Sequence, residues 1–223
     1  MAKASLVVLI SGSGSNLQAI IDAINSGQLD AEISAVISNK ASAKGLDRAA
    51  AENITTHVVD HKDYPSREMF DKAMMDIIDP LDPDLVVLAG FMRILTEEFI
   101  KQYHHRLINI HPSLLPRYKG LHTHRQAIEN ADKIHGASVH YVSYELDSGP
   151  VILQAEVPVK DGDTEQTLAT RVLVEEHKIY PKAIELHISG RVAFDDELLL
   201  FDGKPLSTPL LLKDGRLLIE HLA

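Results

Sequence analysis

Short apolar runs and longer amphipathic stretches alternate along the first half of the chain. The apolar runs predict β-strands over residues 6–10, 33–38, 57–59, 85–89 and 107–110. Between them, helical spacing of apolar side chains predicts helices over residues 17–24, 43–52, 66–78 and 96–103. Strands that are apolar on both faces and alternate with helices indicate a mostly parallel sheet covered by helices.

Two of these helices carry more specific expectations. In residues 66–78 the positions at helical spacing are Met69, Phe70, Ala73, Met74 and Ile77, which we expect on the buried face. The following helix is expected to be capped by Thr96, because a threonine side chain at this position can accept a free backbone N–H.

The second half of the chain has a different pattern. Residues 137–144 and 151–159 are predicted to form a pair of strands, joined by a turn-rich segment that contains Asp147-Ser148-Gly149-Pro150. A long helix is predicted from about Thr164 to residue 188, with Thr164 and Thr167 as cap or first-turn residues. Beyond Arg191 the alternation is weak, although Asp-Gly at 202–203 and at 214–215 indicates turns.

These elements predict one α/β domain with a mostly parallel twisted sheet, helices on both of its faces and an antiparallel extension in the C-terminal half. The length of 223 residues suits a single sizeable domain. The sequence has no apolar run of the ~20 residues that span a bilayer. The first apolar run, residues 6–10, is too short for a signal peptide, so we expect a cytoplasmic protein with no membrane partner.

Charge and cysteine content exclude some functions. The formal net charge of −10 argues against binding to nucleic acid, which needs a basic surface. The absence of cysteine excludes disulfides, thiol catalysis and thiolate metal sites. A small anionic ligand stays possible, because the N-terminus of a helix can bind a phosphate whatever the net charge.

Residues 11–16, Ser-Gly-Ser-Gly-Ser-Asn, separate the first predicted strand from the first helix. Glycine allows close backbone approach, serine and asparagine can cap the helix, and free N–H groups there favour a phosphate. Leu17 replaces the third glycine of a dinucleotide motif, and residues 38–40 supply no acid for a ribose hydroxyl, which argues against NAD. Taken alone, the loop is equally compatible with a tight turn before a capped helix.

A polar pair stands at the end of the last strand of the first half. Asn109 and His111 project to one face of an extended chain, and Pro112 ends the strand. Histidine can exchange a proton near neutrality, and an asparagine amide can donate to an oxyanion. An isolated strand-end histidine is more often satisfied by backbone, so a partner acid is needed. Asp147 is a candidate, although an aspartate there is also an ordinary turn residue.

Several segments, in this order, resemble the folate-dependent phosphoribosylglycinamide formyltransferase family. The segments are V-L-I-S-G-S-G-S-N at 8–16, L-A-G-F-M-R-I-L at 88–95, N-I-H-P-S-L-L-P at 109–116, G-L-H-T-H at 120–124, H-G-A-S-V-H at 135–140 and residues 146–154. The ordered combination is highly specific, and the likeness covers roughly residues 5–190. It implies a Rossmann-like formyltransferase domain over residues 1–190, with a phosphate-binding N-terminal half and a folate-binding C-terminal half. Residues 191–223 are expected to be a tail packed on that domain, with no assigned function.

The resemblance implies transfer of the formyl group of 10-formyltetrahydrofolate to the amine of 5′-phosphoribosylglycinamide, a step of de novo purine (IMP) biosynthesis. The products would be the N-formyl compound and tetrahydrofolate. The implied catalytic residues are Asn109, His111 and Asp147, with His111 and Asn109 on the oxyanion and Asp147 orienting His111 and raising its pKa. The implied substrate-binding residues are Gly14, Ser15, Asn16 and Glu176.

The folate, as co-substrate, is the only cofactor implied, and no metal is expected. Arg67 matches a position near the folate's glutamate tail. The residues that match the pterin pocket, much of it through backbone, are Met92, Arg93, Ile94, Leu95, Ser143, Tyr144, Glu145 and Leu146. For the apolar residues Met92, Ile94 and Leu95, packing in the core is an equally good interpretation. The expected partners are the two small-molecule substrates, and the protein is expected to be a monomer or a homodimer.

Four other functions compete with this interpretation. Methionyl-tRNA formyltransferase normally adds a C-terminal tRNA-binding domain, for which we expect this acidic chain to be too short. Formyltetrahydrofolate hydrolase carries an extra N-terminal regulatory domain, whereas we expect the catalytic domain here to begin at residue 5. A histidine-based metal protein is suggested by the 12 histidines, including His104-His105 and the pair at His122 and His124, but the spacings match no ligand motif. A non-catalytic sugar-phosphate binding protein would not need Asn109, His111 and Asp147 together.

Overall fold

A computed structural model describes residues 3–195 and 198–219. The chain divides into two compact units, residues 1–109 and 110–223, which are described separately. None of the described helices is long and apolar enough to cross a membrane.

The first unit is built on parallel strands. They are β1 (Ala4–Ile10), β2 (Ala31–Ser38), β3 (Thr56–Val58), β4 (Leu85–Leu88) and β5 (Leu107–His111), whose last two residues begin the second unit. All their pairings are parallel, in the order β5-β4-β1-β2-β3. The strand order therefore reverses between β1 and β4. In open α/β sheets, ligands bind outside the carboxyl ends of the strands at such a switch point.

The helices of the first unit connect these strands. They are α1 (Ser15–Asn25), α2 (Gly45–Ala51), α3 (Arg67–Ile78) and α4 (Glu97–Gln102). Thr96 caps α4 as predicted, because its side chain accepts the Phe99 N–H.

The predicted buried face of α3 is partly wrong. Met69 is 54% exposed, whereas Phe70, Met74 and Ile78 are buried. These three follow an i, i+4, i+8 stripe, and Met69 lies about 100° away from it around the helix. The buried face also includes Asp71, which the apolar pattern could not reveal.

The second unit begins with a short helix that the sequence did not predict, α5 (Thr123–Glu129). The strands β6 (Ile134–Tyr141) and β7 (Val151–Pro158) pair antiparallel, as predicted. However, β6 begins and ends three residues earlier than expected, so residues 143 and 144 lie in the loop and not in the strand. The long helix α6 (Glu165–Ile188) begins with a capping box formed by Thr164 and Thr167.

Small antiparallel strands follow α6. Strands β8 (Val192–Phe194), β9 (Leu199–Phe201) and β10 (Lys204–Pro205) form one sheet, and β11 (Leu210–Lys213) pairs with β12 (Arg216–Leu218). Both predicted Asp-Gly turns are confirmed as hairpin turns, since the aspartate and glycine of each have positive φ. β11 also runs parallel to β7. The predicted α/β class, mostly parallel sheet and C-terminal antiparallel extension are thus confirmed, while the boundary at residue 190 stays a prediction.

Candidate active site

The glycine-rich loop lies at the switch point, between β1 and α1. Gly14 precedes the helix with φ of 70°, and a Cβ there would lie 2.5 Å from the Gly45 Cα. Glycine is therefore required both by conformation and by the close approach of the backbone at the start of α2. The expected serine or asparagine cap is wrong: Gly14 is the N-cap and makes no side-chain cap bond, while Ser15 and Asn16 lie in the first turn.

A second loop follows β4, the neighbour of β1. Phe91 and Leu95 are each only 8% exposed, whereas Met92 is 66% and Ile94 is 61% exposed. Of the apolar candidates for folate contact, Met92 and Ile94 therefore present their side chains at the surface, and Leu95 can offer only its backbone. Arg67, at the start of α3, is also exposed.

His111 ends β5 with its ring buried. Its Nε2 lies 2.8 Å from the Tyr118 carbonyl oxygen, to which it must donate, because a carbonyl can only accept. Its Nδ1 lies 3.4 Å from Asp147 Oδ2. His111 therefore bonds a backbone carbonyl through one ring nitrogen and faces a carboxylate with the other. Asn109, two residues earlier on β5, is half-buried.

Asp147 reaches His111 from a left-handed backbone conformation, with φ of 49°. Its Oδ2 also accepts the Gly120 N–H at 2.8 Å, and its side chain is only 7% exposed. A non-glycine residue in this conformation is strained and persists only where its surroundings hold it, which is common at functional sites. The contacts of Asp147 supply that restraint.

A second histidine faces the same carboxylate. His140 Nε2 lies 3.7 Å from Asp147 Oδ1, and its Nδ1 donates to the Tyr141 carbonyl at 2.8 Å. Burial lowers the pKa of His140 to about 4, so this ring is neutral at neutral pH. His140 thus repeats the arrangement of His111, with one ring nitrogen bonded to a backbone carbonyl and the other facing Asp147.

The segment after His111 is anchored to β6 and β7. Ser138 Oγ donates to the Ser113 carbonyl at 2.7 Å and accepts the Leu115 N–H at 3.0 Å. Gln154 Nε2 donates to Ser138 Oγ and to the Leu115 carbonyl. These buried bonds fix the course of the chain immediately beyond His111.

The loop after β6 carries the other candidates for folate contact. Tyr144 and Leu146 are more than half exposed, Glu145 is exposed, and Ser143 Oγ donates to the Glu145 carbonyl at 3.1 Å. The loop closes tightly at Gly149, where a Cβ would lie 1.9 Å from the Tyr141 carbonyl oxygen.

Glu176, on α6, is buried at 8% exposure, while its neighbour Glu175 pairs with Lys178 at 2.7 Å. In the described residues, no three His, Asp or Glu side chains are grouped to hold a metal ion.

Comparison with known proteins identifies the family. A family profile described as "Formyl transferase" matches residues 4–184. The chain belongs to this family. The formyltransferase family resemblance drawn from the motifs is thereby confirmed.

Individual members of the formyl transferase family are close in sequence and structure. Phosphoribosylglycinamide formyltransferase of Escherichia coli (strain K12) is 53% identical over 202 residues, which cover 91% of this chain and 95% of that protein. The human trifunctional purine biosynthetic protein adenosine-3 is 48% identical over 190 residues, covering 85% of this chain and 19% of that protein. The structure of phosphoribosylglycinamide formyltransferase from Coxiella burnetii superposes with a TM-score of 0.88 at 50% identity, covering 92% of this chain and 96% of that one.

Within this formyl transferase, the structure brings His111 and Asp147 together as the sequence suggested. Sequence reasoning missed the roles of Tyr118, Gly120 and His140 around them. His140 ends the H-G-A-S-V-H segment, but both faces of β6 are buried from His135 to Tyr141, so alternation along the strand does not single it out. Tyr118 and Gly120 contribute a backbone carbonyl and a backbone N–H, so their residue types could not have indicated these contacts.

Proposed function

We propose that this chain transfers the formyl group of 10-formyltetrahydrofolate to the amine of 5′-phosphoribosylglycinamide, in de novo purine biosynthesis. The observation that carries the proposal is the buried His111–Asp147 pair in a chain 53% identical to a phosphoribosylglycinamide formyltransferase. The hydrolase alternative is less well supported, because the relatives from Escherichia coli and Coxiella burnetii described above carry the formyltransferase name.

Each reacting group has a candidate. The substrate amine attacks the formyl carbon and forms a tetrahedral intermediate with a negatively charged oxygen. His111, as an imidazolium, and the Asn109 amide stabilise that oxygen. The negatively charged oxygen replaces the Tyr118 carbonyl as the hydrogen-bond acceptor of His111 Nε2. The amine loses its proton through water to Asp147, and a proton passes in turn to N10 of the folate. The bond between the formyl carbon and N10 then breaks as the oxyanion returns to a carbonyl, which releases tetrahydrofolate.

Binding residues are assigned within each unit. In the first unit, Gly14, Ser15 and Asn16 bind the substrate phosphate at the N-terminus of α1, where N–H groups and the helix dipole favour an anion. In the second, Glu176 contacts the glycinamide end.

The folate candidates are likewise assigned by unit. Arg67 attracts the folate's glutamate carboxylate, because a guanidinium suits that group. The folate-lining residues are Met92, Arg93, Ile94 and Leu95 in the first unit, and Ser143, Tyr144, Glu145 and Leu146 in the second. We further propose a cytoplasmic monomer or homodimer that binds neither nucleic acid nor membrane.

A direct assay tests the proposal. Purified protein is mixed with glycinamide ribonucleotide and a 10-formylfolate, and the deformylated folate is followed by absorbance while mass spectrometry follows the gain of one formyl group by the ribonucleotide. We expect both signals together and neither with His111→Ala. Deformylation without the ribonucleotide at an equal rate would identify a hydrolase, and no turnover at all would refute the proposal.

A further inference from the structure

Ser11 occupies the glycine-rich loop but is turned away from the surface. Its side chain is buried, at 5% exposure for the residue, at the end of β1. Its Oγ donates to Asn39 Oδ1 at 2.6 Å and accepts the Met92 N–H at 2.8 Å. One hydroxyl therefore connects the loop after β1 to the loop after β4, across the switch point of the sheet.

The direction of these bonds follows from the neighbours of Asn39. Asn39 is fully buried, and its Nδ2 lies 3.4 Å from His61 Nδ1. Because an amide nitrogen only donates, Oδ1 is the atom left to accept from Ser11. The single proton of the Ser11 hydroxyl is committed to Asn39, so Ser11 has no proton to offer to a phosphate oxygen.

The loop after β4 is held at its far end as well. Asp71 Oδ2, on α3, accepts the Thr96 N–H at 2.6 Å. Between the Met92 and Thr96 anchors the chain forms neither helix nor strand, and it presents Met92 and Ile94 outward while it buries Leu95. The two side-chain anchors therefore help to decide which side chains of this loop face a ligand.

We propose that Ser11 is a positioning residue for the folate and not a ligand of the substrate phosphate. The inference rests on the proposed function, which assigns residues 92–95 to the folate. Without the Ser11 hydroxyl, the Met92 N–H loses its acceptor and the loop samples more conformations before the folate binds. Folate binding must then order the loop. The apparent affinity for the folate falls, because only molecules whose loop already has the binding conformation can bind it.

The kinetic test compares Ser11→Ala with Ser13→Ala, a matched control in the same loop whose side chain is exposed. We expect Ser11→Ala to raise KM for the 10-formylfolate by about three- to tenfold, the range for one lost hydrogen bond. We expect kcat and the KM for the ribonucleotide to stay within about twofold of the wild-type values, because the lost hydrogen bond affects only the loop that binds the folate. Ser13→Ala is expected to match the wild type. An equal or larger rise in the ribonucleotide KM would overturn the inference, because Ser11 would then be serving the phosphate.

A second measurement is independent of turnover. Amide hydrogen exchange, read by NMR, is expected to show faster exchange of the Met92 N–H in Ser11→Ala than in the wild type or Ser13→Ala. Unchanged exchange would overturn the inference even in an active enzyme, whereas an inactive wild type would count against the proposed function alone. If Ser11→Ala does not fold, Ser11→Cys replaces it, because a thiol of similar size is a weaker donor and acceptor.

Discussion

Asp147 contacts His111 through Oδ2, 3.4 Å from Nδ1, while the same oxygen accepts the Gly120 N–H. The carboxylate thus orients the ring and is itself held by backbone.

We therefore expect Asp147→Asn to lower kcat by about 10²- to 10⁴-fold, because the amide keeps an acceptor for Gly120 but cannot take up the proton that the proposed mechanism passes to the carboxylate. Steady-state kinetics measures the loss. Glu156→Gln, which removes an exposed carboxylate on β7, is the control and should keep wild-type kcat. A kcat for Asp147→Asn within about threefold of wild type would remove Asp147 from the catalytic set.

The closure of the loop over residues 143–150 depends on Gly149. A Cβ at this position would lie 1.9 Å from the Tyr141 carbonyl oxygen, which is backbone and has little freedom to move. Gly149→Ala should therefore destabilise the protein by about 1–3 kcal/mol and raise KM for the folate. Denaturant unfolding and kinetics measure the two effects. Ser148→Ala adds no atoms to the same loop, and similar effects from both variants would contradict the steric explanation.

Buried histidines predict a loss of stability in acid. Burial lowers the pKa of His135 to about 4 from its ordinary 6.5, and its Nε2 lies 3.1 Å from His124 Nδ1. Between these pH values the unfolded chain binds a proton that the folded chain does not, so the free energy of unfolding falls as pH drops from about 6.5 to about 4.

His135→Gln should flatten this decline, and the exposed His122→Gln should not. The measurement is the free energy of unfolding in denaturant across that pH range. Parallel pH profiles for wild type and His135→Gln would show that His135 does not contribute to the decline.

Asp71 is predicted to make the protein less stable as pH rises, which is opposite to the effect of His135. Burial raises its pKa above the ordinary value, and its Oδ1 has no hydrogen-bond partner among the described residues. Stability contributed by the neutral form is therefore lost as pH rises from the ordinary aspartate pKa through the raised one.

Asp71→Asn keeps an acceptor for the Thr96 N–H and removes the buried charge. It should be at least as stable as the wild type at neutral pH, with its relative advantage shrinking in acid. Thermal unfolding at several pH values measures the difference. A neutral variant that is clearly less stable at every pH would show that the charge itself strengthens the bond to Thr96.

Local pattern predicted most of the elements because their residues carry the signal themselves. The apolar runs of β1 and β4 are buried on both faces, and Thr96 and Thr164 cap the helices that they precede. α5 escaped prediction because it buries only Thr123 and Ala127 and so has almost no apolar face.

The candidate site was predictable only in part. N-I-H-P-S-L-L-P and the Asp147 turn indicated their residues, and His111 and Asp147 lie in contact within the second unit. The contacts of Ser11 and Tyr118 were not predictable, because each involves a backbone group: the Met92 N–H for Ser11 and the Tyr118 carbonyl for His111. The residue types in a sequence do not show which backbone carbonyl or N–H group the fold will place next to a given side chain.

The packing of Gly14 against Gly45 has a consequence for how the glycine-rich loop is delimited. A side chain at position 45 would lie 2.5 Å from the Ile10 Cδ1 and 3.1 Å from the Gly14 Cα, and the Gly45 N–H donates to the Gly12 carbonyl. The shape of the loop over residues 11–16 therefore also depends on Gly45, about thirty positions further along the chain. A side chain at position 45 should therefore disturb the loop much as one at position 14 would, although no search for a contiguous motif would include this residue.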